Sequence, residues 1–147
     1  MDTSGFRSPV SPLGLVQEHP EVRRDPWRVL VACVLCSQVE GGRALPILLR
    51  VLERWGSDAL LALADEPTVA AMVHPLGLQR KRAHRLVRMS LGYLMGWHTA
   101  PGATVADLEG VGRYGVDAWA LFVEGRTDVT PTDRELRRWL DWRLECL

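Results

Sequence analysis

Apolar positions recur at three- and four-residue intervals through most of the chain, and the residues between those runs divide it into short helices. The first clear start is Asp25-Pro26-Trp27, an acid suited to N-capping followed by proline at the first helical position, where its missing N–H costs nothing. It predicts a helix over 26–36. Gly41-Gly42 interrupts, and Leu45, Leu48, Leu49 and Leu52 then give one face of a second helix over 43–55, with Pro46 tolerable only near its first turn. Ser57 and Asp65 read as caps of two shorter helices, 58–64 and 66–73. After Gly77 the segment from 79 to about 95 reads as a longer amphipathic helix with basic residues outward. The last third begins with helix at 104–108, breaks at Glu109-Gly110-Val111-Gly112 and resumes from Arg113 to about 123. Thr130-Pro131-Thr132-Asp133 then opens a final helix over 135–144, with Leu136, Trp139, Leu140 and Trp142 as its apolar side. No period-two run argues for a strand, so the predicted fold class is all-α.

At 147 residues and 47% hydrophobic content the chain has material for one core. Residues 1–20, rich in Ser, Pro and Gly, read as an irregular segment, and 21–147 as a single helical domain. No stretch approaches the roughly 20 apolar residues of a membrane span, and the N-terminus lacks the apolar run of a signal peptide, so a soluble, intracellular protein is expected. The cysteines number three; Cys33 and Cys36 fall in an apolar run and read as reduced, small hydrophobes. The formal net charge is zero, but its distribution is uneven. Arg80, Lys81, Arg82, Arg85 and Arg88 crowd one segment without an acid, and positions 81, 85 and 88 share a helical face. That face is either a phosphate-binding ridge or a merely solvated surface.

Three features could carry chemistry. In Leu108-Glu109-Gly110-Val111-Gly112 two glycines permit positive φ and Val111 can anchor the turn, so a tight hairpin would present N–H groups at a helix start that attracts an anion such as DNA phosphate; a plain interhelical turn fits equally. Pro75-Leu76-Gly77-Leu78 is a looser version leading into the basic helix, with an ordinary glycine C-cap as the alternative. Asp133 is the carboxylate singled out, at a helix start where acids also occur for electrostatic reasons alone. Cys33-x-x-Cys36 has zinc-like spacing but no second ligand pair, and His19, His74, His84 and His98 are scattered, so no metal site is expected.

Leu15-Val16-Gln17-Glu18, Asp25-Pro26-Trp27, Pro75-Leu76-Gly77-Leu78, the run from Leu108 to Asp117, Thr130-Pro131 through Asp133, and Asp141-Trp142 together resemble, in order and spacing, the glycosylase domain of the methyl-CpG-binding thymine DNA glycosylases. These belong to the helix-hairpin-helix superfamily of base-excision enzymes, and the likeness runs from about Ser11 to Trp142. The resemblance implies a compact helical glycosylase fold with its hairpin at 108–115 and with the N-terminal segment contributing to the base pocket. It makes Asp133 the essential aspartate, Gln17 the amide that reads a flipped pyrimidine beside Val16, and Tyr114 the pocket tyrosine. Bifunctional relatives carry lysine at the Tyr114 position. Tyrosine here, with Lys81 the only lysine of the chain, implies a monofunctional enzyme that leaves an intact abasic strand.

The resemblance also makes Gln38 the side chain that fills the gap left by the flipped base, where the thymine glycosylases carry arginine, and Leu78 a wedge from the other side. Leu78 fits a hydrophobic C-capping contact equally. Gly110, Val111, Gly112 and Arg113 of the hairpin, with Arg80, Lys81 and Arg82, become the expected DNA contacts. Many superfamily members hold an iron–sulfur cluster with four C-terminal cysteines; only Cys146 lies there, so no cofactor is expected, although a monovalent cation held by hairpin carbonyls is permitted. The family's methyl-CpG-binding domain is not expected in so short a chain, so recruitment to methylated DNA is not implied. The expected partner is double-stranded DNA bearing a mismatched or damaged base, the expected state a monomer, and the expected location the cytoplasm of a bacterium or the nucleus of a eukaryote. The function implied is excision of uracil or thymine opposite guanine. Two alternatives stay open: a non-catalytic helix-hairpin-helix DNA-binding module, and a glycosylase for another base, since two extra residues between Gln17 and Asp25 relative to the family could reshape the pocket mouth.

Overall fold

The computed structural model describes residues 8–147, so the first seven residues of the predicted irregular segment lie outside the described residues. Seven α-helices and no strand occur among the described residues: α1 (Pro26–Cys36), α2 (Gly41–Arg54), α3 (Asp58–Ala62), α4 (Glu66–Val73), α5 (Gln79–Leu94), α6 (Arg113–Ala118) and α7 (Arg134–Glu145). The fold class is the predicted one, all-α.

The caps formed as their chemistry requires. Asp25 accepts the N–H of Trp27 at 2.9 Å, Ser57 that of Leu60 at 3.2 Å, and Asp65 that of Thr68 at 3.1 Å, each satisfying a donor that the first helical turn leaves open. Every residue of α1 is buried, and α2, α5 and α6 pack around it. It is the central rod of the molecule. Trp27 anchors it to α5 by an indole N–H donated to Ser90 Oγ at 2.9 Å. On the far side α5 packs against α3 and α4.

Five expectations need correction. Gly41 and Gly42 open α2 rather than separating it from α1; the break is at 37–40. A Cβ on Gly41 would meet Val16 Cγ2 at 2.9 Å, so the small residue lets this helix start approach the N-terminal segment. Pro46 accordingly falls within α2, beyond its first turn. The helix expected at 104–108 is one 3-10 turn, Val105–Asp107, and the one expected from Arg113 to about 123 is α6 followed by a π-turn, Trp119–Val123. Arg82, expected outward, is turned inward and 4% exposed.

The segment ahead of α1 is irregular but docked. Ser8 donates to Phe122 O at 3.1 Å, and Arg23 donates to Ser8 O at 2.9 Å. Its single 3-10 turn, Val16–Glu18, carries Gln17 into contact with α1. At the other end of the chain Trp139 of α7 packs edge-on against Phe122, with centroids 4.8 Å apart. The first and last segments thereby close over the same core.

Candidate active site

Two cavities meet along one wall. The first, about 620 Å³, is bounded by the end of α1, the following loop with Gln38, Arg85 of α5, the hairpin Gly110-Val111-Gly112, Arg113, Tyr114 and Asp133. The second, about 660 Å³, runs under the N-terminal segment and is lined by Val16, Gln17, Glu18, Leu45 and the start of α2. Cys36, Tyr114 and Asp133 belong to both linings. These three residues form the wall between the hairpin side and the side that holds Gln17.

Asp133 is the N-cap of α7. Its Oδ2 accepts the N–H of Leu136 at 3.0 Å, which holds the carboxylate at the helix start, where the macrodipole favours negative charge. Among the described residues no hydrogen bond engages Oδ1. The capping role and the cavity role are thus compatible, one oxygen each.

Gln17 is 1% exposed, and its amide donates to Tyr114 Oη at 2.7 Å and makes a long contact of 3.8 Å to Cys33 Sγ. Burial pushes the Tyr114 phenol well above its usual range; the neighbouring thiols and Asp133 push the same way and the Gln17 bond opposes them. The phenol stays a neutral O–H at any physiological pH, able to donate while it accepts from Gln17. Burial also raises the Cys33 thiol, with Cys36 adding to it, and pushes Cys36 up to about 12 despite the opposing Arg82.

The hairpin is built on Gly110. Its φ is +90°, and a Cβ there would meet Arg85 O at 2.8 Å, so only glycine lets the turn lie against α5. Gly112, expected to share the positive φ, is instead extended at φ −100° and serves as the N-cap of α6. Lacking a side chain, it leaves the first N–H groups of α6 without a capping acceptor. Arg113 braces this turn by donating to Thr130 O at 2.7 Å and pairing with Asp117 at 2.9 Å.

Gln38 and Leu78 are the non-glycine residues with positive φ among the described residues, at 59° and 50°. Left-handed backbone costs such side chains roughly 1–2 kcal/mol each, and strain of this kind is retained where a site needs it. Both are exposed, Leu78 at 56%. Arg82 ties the turn before Leu78 to α1: its Nε donates to Gly77 O at 2.9 Å and its guanidinium to Val34 O near the end of α1 at 2.9 Å. This internal engagement removes Arg82 from the basic ridge. Arg88 is also engaged, pairing with Glu109 of the hairpin at 3.0 Å.

Of the residues expected from sequence, the two cavities bring together Val16, Gln17, Gln38, Gly110, Val111, Gly112, Arg113, Tyr114 and Asp133. Leu78 and Lys81 line neither, and Arg80 lines a separate groove between α4 and α5. The site also includes residues that pattern did not single out, among them Arg85, Cys36 and Glu18. Arg85 was visible as a ridge position; nothing local marks Glu18. Cys33 and Cys36 are buried and Cys146 is exposed, and no described group of His, Cys, Asp and Glu is arranged to hold a metal ion. No helix of the described residues is long and apolar enough to cross a membrane.

No protein-family model matches the chain. Over 135 residues, 91% of its length, it is 35% identical to a methyl-CpG-binding domain protein 4-like protein of Arabidopsis thaliana, covering 29% of that protein. It is 30% identical over 107 residues to a thymine/uracil-DNA glycosylase of Pyrobaculum aerophilum, covering 71% of this chain and 46% of the relative. The chain thus spans less than half the length of these curated relatives. Among solved structures, a trapped endonuclease III–DNA covalent intermediate superposes with a TM-score of 0.65 at 17% identity, over 78% of this chain and 55% of that one. A thermostable thymine-DNA glycosylase does so at 0.64 and 18%, over 78% and 52%. By sequence the chain is a homologue of the methyl-CpG-binding domain protein 4-like protein and the thymine-DNA glycosylases, and its fold is that of the helix-hairpin-helix DNA glycosylases.

Proposed function

We propose that the chain is a monofunctional DNA glycosylase that removes uracil or thymine paired with guanine. The observation that carries this reading is the shared wall: Asp133 and Tyr114 line both the hairpin-side cavity and the cavity that holds Gln17. The hairpin amides and Arg113 bind backbone phosphates of the damaged strand. Gln38 and Leu78, presented from strained turns, occupy the stack while the target nucleotide leaves it. The flipped base enters toward Gln17, whose amide offers both a donor and an acceptor to a pyrimidine edge. As the glycosidic bond lengthens, positive charge grows on the sugar. The Asp133 carboxylate stabilises that charge, and its oxygen not engaged by Leu136 orients or deprotonates the attacking water.

The make-up of the cavity walls supports the absence of lyase chemistry. Among the described residues neither lining contains a lysine, Lys81 stands on the surface of α5, and position 114 carries a phenol where a Schiff base needs an amine. The protein acts as a monomer, one pocket serving one flipped base, and works on genomic DNA in the bacterial cytoplasm or the eukaryotic nucleus.

The test is single-turnover base release from duplexes carrying G·T, G·U, A·U or an alkylated base, with and without alkali. The expected result is alkali-dependent cutting at G·T and G·U that Asp133→Asn abolishes while duplex binding is retained. Release of a different base would reassign the substrate. Tight, salt-sensitive binding without release from any duplex would make the chain a non-catalytic DNA-binding module.

A further inference from the structure

Glu18 is 5% exposed, follows Gln17 in the chain, and has all of its acceptor positions in use. Its Oε2 accepts the backbone N–H of Ser11 and the indole N–H of Trp139 at 3.1 Å. Its Oε1 accepts the Ser11 hydroxyl at 2.7 Å and the N–H of Leu15 at 3.2 Å. Three of these donors belong to the N-terminal segment that carries Gln17. The fourth belongs to α7, whose N-cap is Asp133. Buried carboxylates are costly to desolvate and persist where several donors converge on them. This one ties together the two chain segments, 121 residues apart, that supply Gln17 and Asp133.

We propose that Glu18 is a positioning residue that sets the register of Gln17 against Asp133 across the cavity, acting through Gln17 without touching substrate. The inference rests on the functional reading above. Gln17 itself is held by Tyr114 Oη and Cys33, both on the core side, so the 3-10 turn that bears it is located from two directions. One is the contact with α1 and α6, and the other is the Glu18 clamp onto α7. Loss of the second lets the turn pivot on the first, moving the amide relative to Asp133 by fractions of an ångström. Base excision is sensitive to displacements on that scale.

The variant Glu18→Gln keeps the shape and defeats the acceptor set. Whichever way the amide is turned, its NH₂ faces the fixed N–H of Leu15 or those of Ser11 and Trp139. The single-turnover rate on a G·U duplex, measured below the thermal transition, is expected to fall by about tenfold or more. In a Gln17→Ala background the same substitution should cost less than about twofold, because a residue acting through Gln17 has nothing left to position. Equal losses in both backgrounds, or no loss in the parent, would overturn the proposal. Should Glu18→Gln fail to fold, Trp139→Phe deletes the α7 donor along with part of the ring packed on Phe122, and must show the same dependence on Gln17. A readout independent of activity is hydrogen exchange of the Gln17 side-chain amide by nuclear magnetic resonance. Exchange is expected to quicken in Glu18→Gln while the backbone amides of α1 keep their protection; unchanged exchange would refute the positioning. If the parent protein releases no base from any duplex, the functional reading falls, and the exchange measurement alone decides the role of Glu18.

Discussion

Two thiols sit one helical turn apart in α1, and Cys36 borders both cavities, yet neither is built to react. A thiol reacts as its thiolate, and burial holds Cys36 up to about 12 and Cys33 higher still. Cys146 is exposed at the end of α7. Ellman's reagent at neutral pH is therefore expected to modify one thiol quickly, to modify none on that timescale in Cys146→Ser, and to reach Cys33 and Cys36 only in denaturant. Rapid modification of Cys36 in the folded protein would show that the wall between the cavities opens. At this scale the sequence was informative about residues whose role is set by neighbours in the chain, such as Asp25, Asp65 and Asp133, each at a helix start. It gave Glu18 no role, because its partner Trp139 lies at the other end of the chain, and it placed Arg82 outward, because the acceptors that turn it inward are backbone carbonyls that no side-chain pattern announces.

Helix α5 shows how one amphipathic element divides its charges. Periodicity placed Arg80, Lys81, Arg82, Arg85 and Arg88 together, but 3.6 residues per turn cannot keep all five on one face. Arg82 falls on the buried side and closes the gap between the Gly77 turn and the end of α1. Its two charge-assisted bonds to carbonyl oxygens hold the Gly77 turn against α1. Arg82→Ala is expected to lower unfolding free energy by about 3 kcal/mol in urea titration, with weaker DNA binding as a consequence of loosened loops. The double substitution Arg80→Ala, Lys81→Ala should leave stability within about 0.5 kcal/mol and flatten the dependence of binding on salt by up to about two phosphate contacts. An inverse pattern, stability lost on removal of the exposed pair and salt dependence lost on removal of Arg82, would reverse these assignments. Elsewhere the helical runs were legible because caps and apolar spacing agreed. The π-turn at Trp119–Val123 and the single 3-10 turn before the hairpin were not, because both follow from tertiary packing rather than from local propensity.

Across the whole molecule, the core that shelters the cavities also collects groups that burial makes harder to ionise. Cys33, Cys36, Tyr93 and Tyr114 are all driven by burial to hold their protons. In the unfolded chain the thiols ionise near 9.0 and the phenols near 10.0. Between those values and the raised ones of the folded state, the folded protein binds more protons than the unfolded chain, so stability falls as pH rises; below them both states are protonated and these groups contribute no slope. Each group that differs fully in protonation adds about 1.4 kcal/mol of loss per pH unit. The urea midpoint is therefore expected to be insensitive to these groups from pH 7 to about 8.5 and to fall steeply by about pH 10.5. The double variant Cys33→Ala, Cys36→Ala, though less stable at neutral pH through lost packing, should begin its alkaline decline later, at the point where only the tyrosines remain to ionise. A midpoint that stays level through pH 10.5 would mean that these four side chains reach solvent, and with it that the wall between the hairpin and Gln17 is open in the free protein rather than closed around a neutral core.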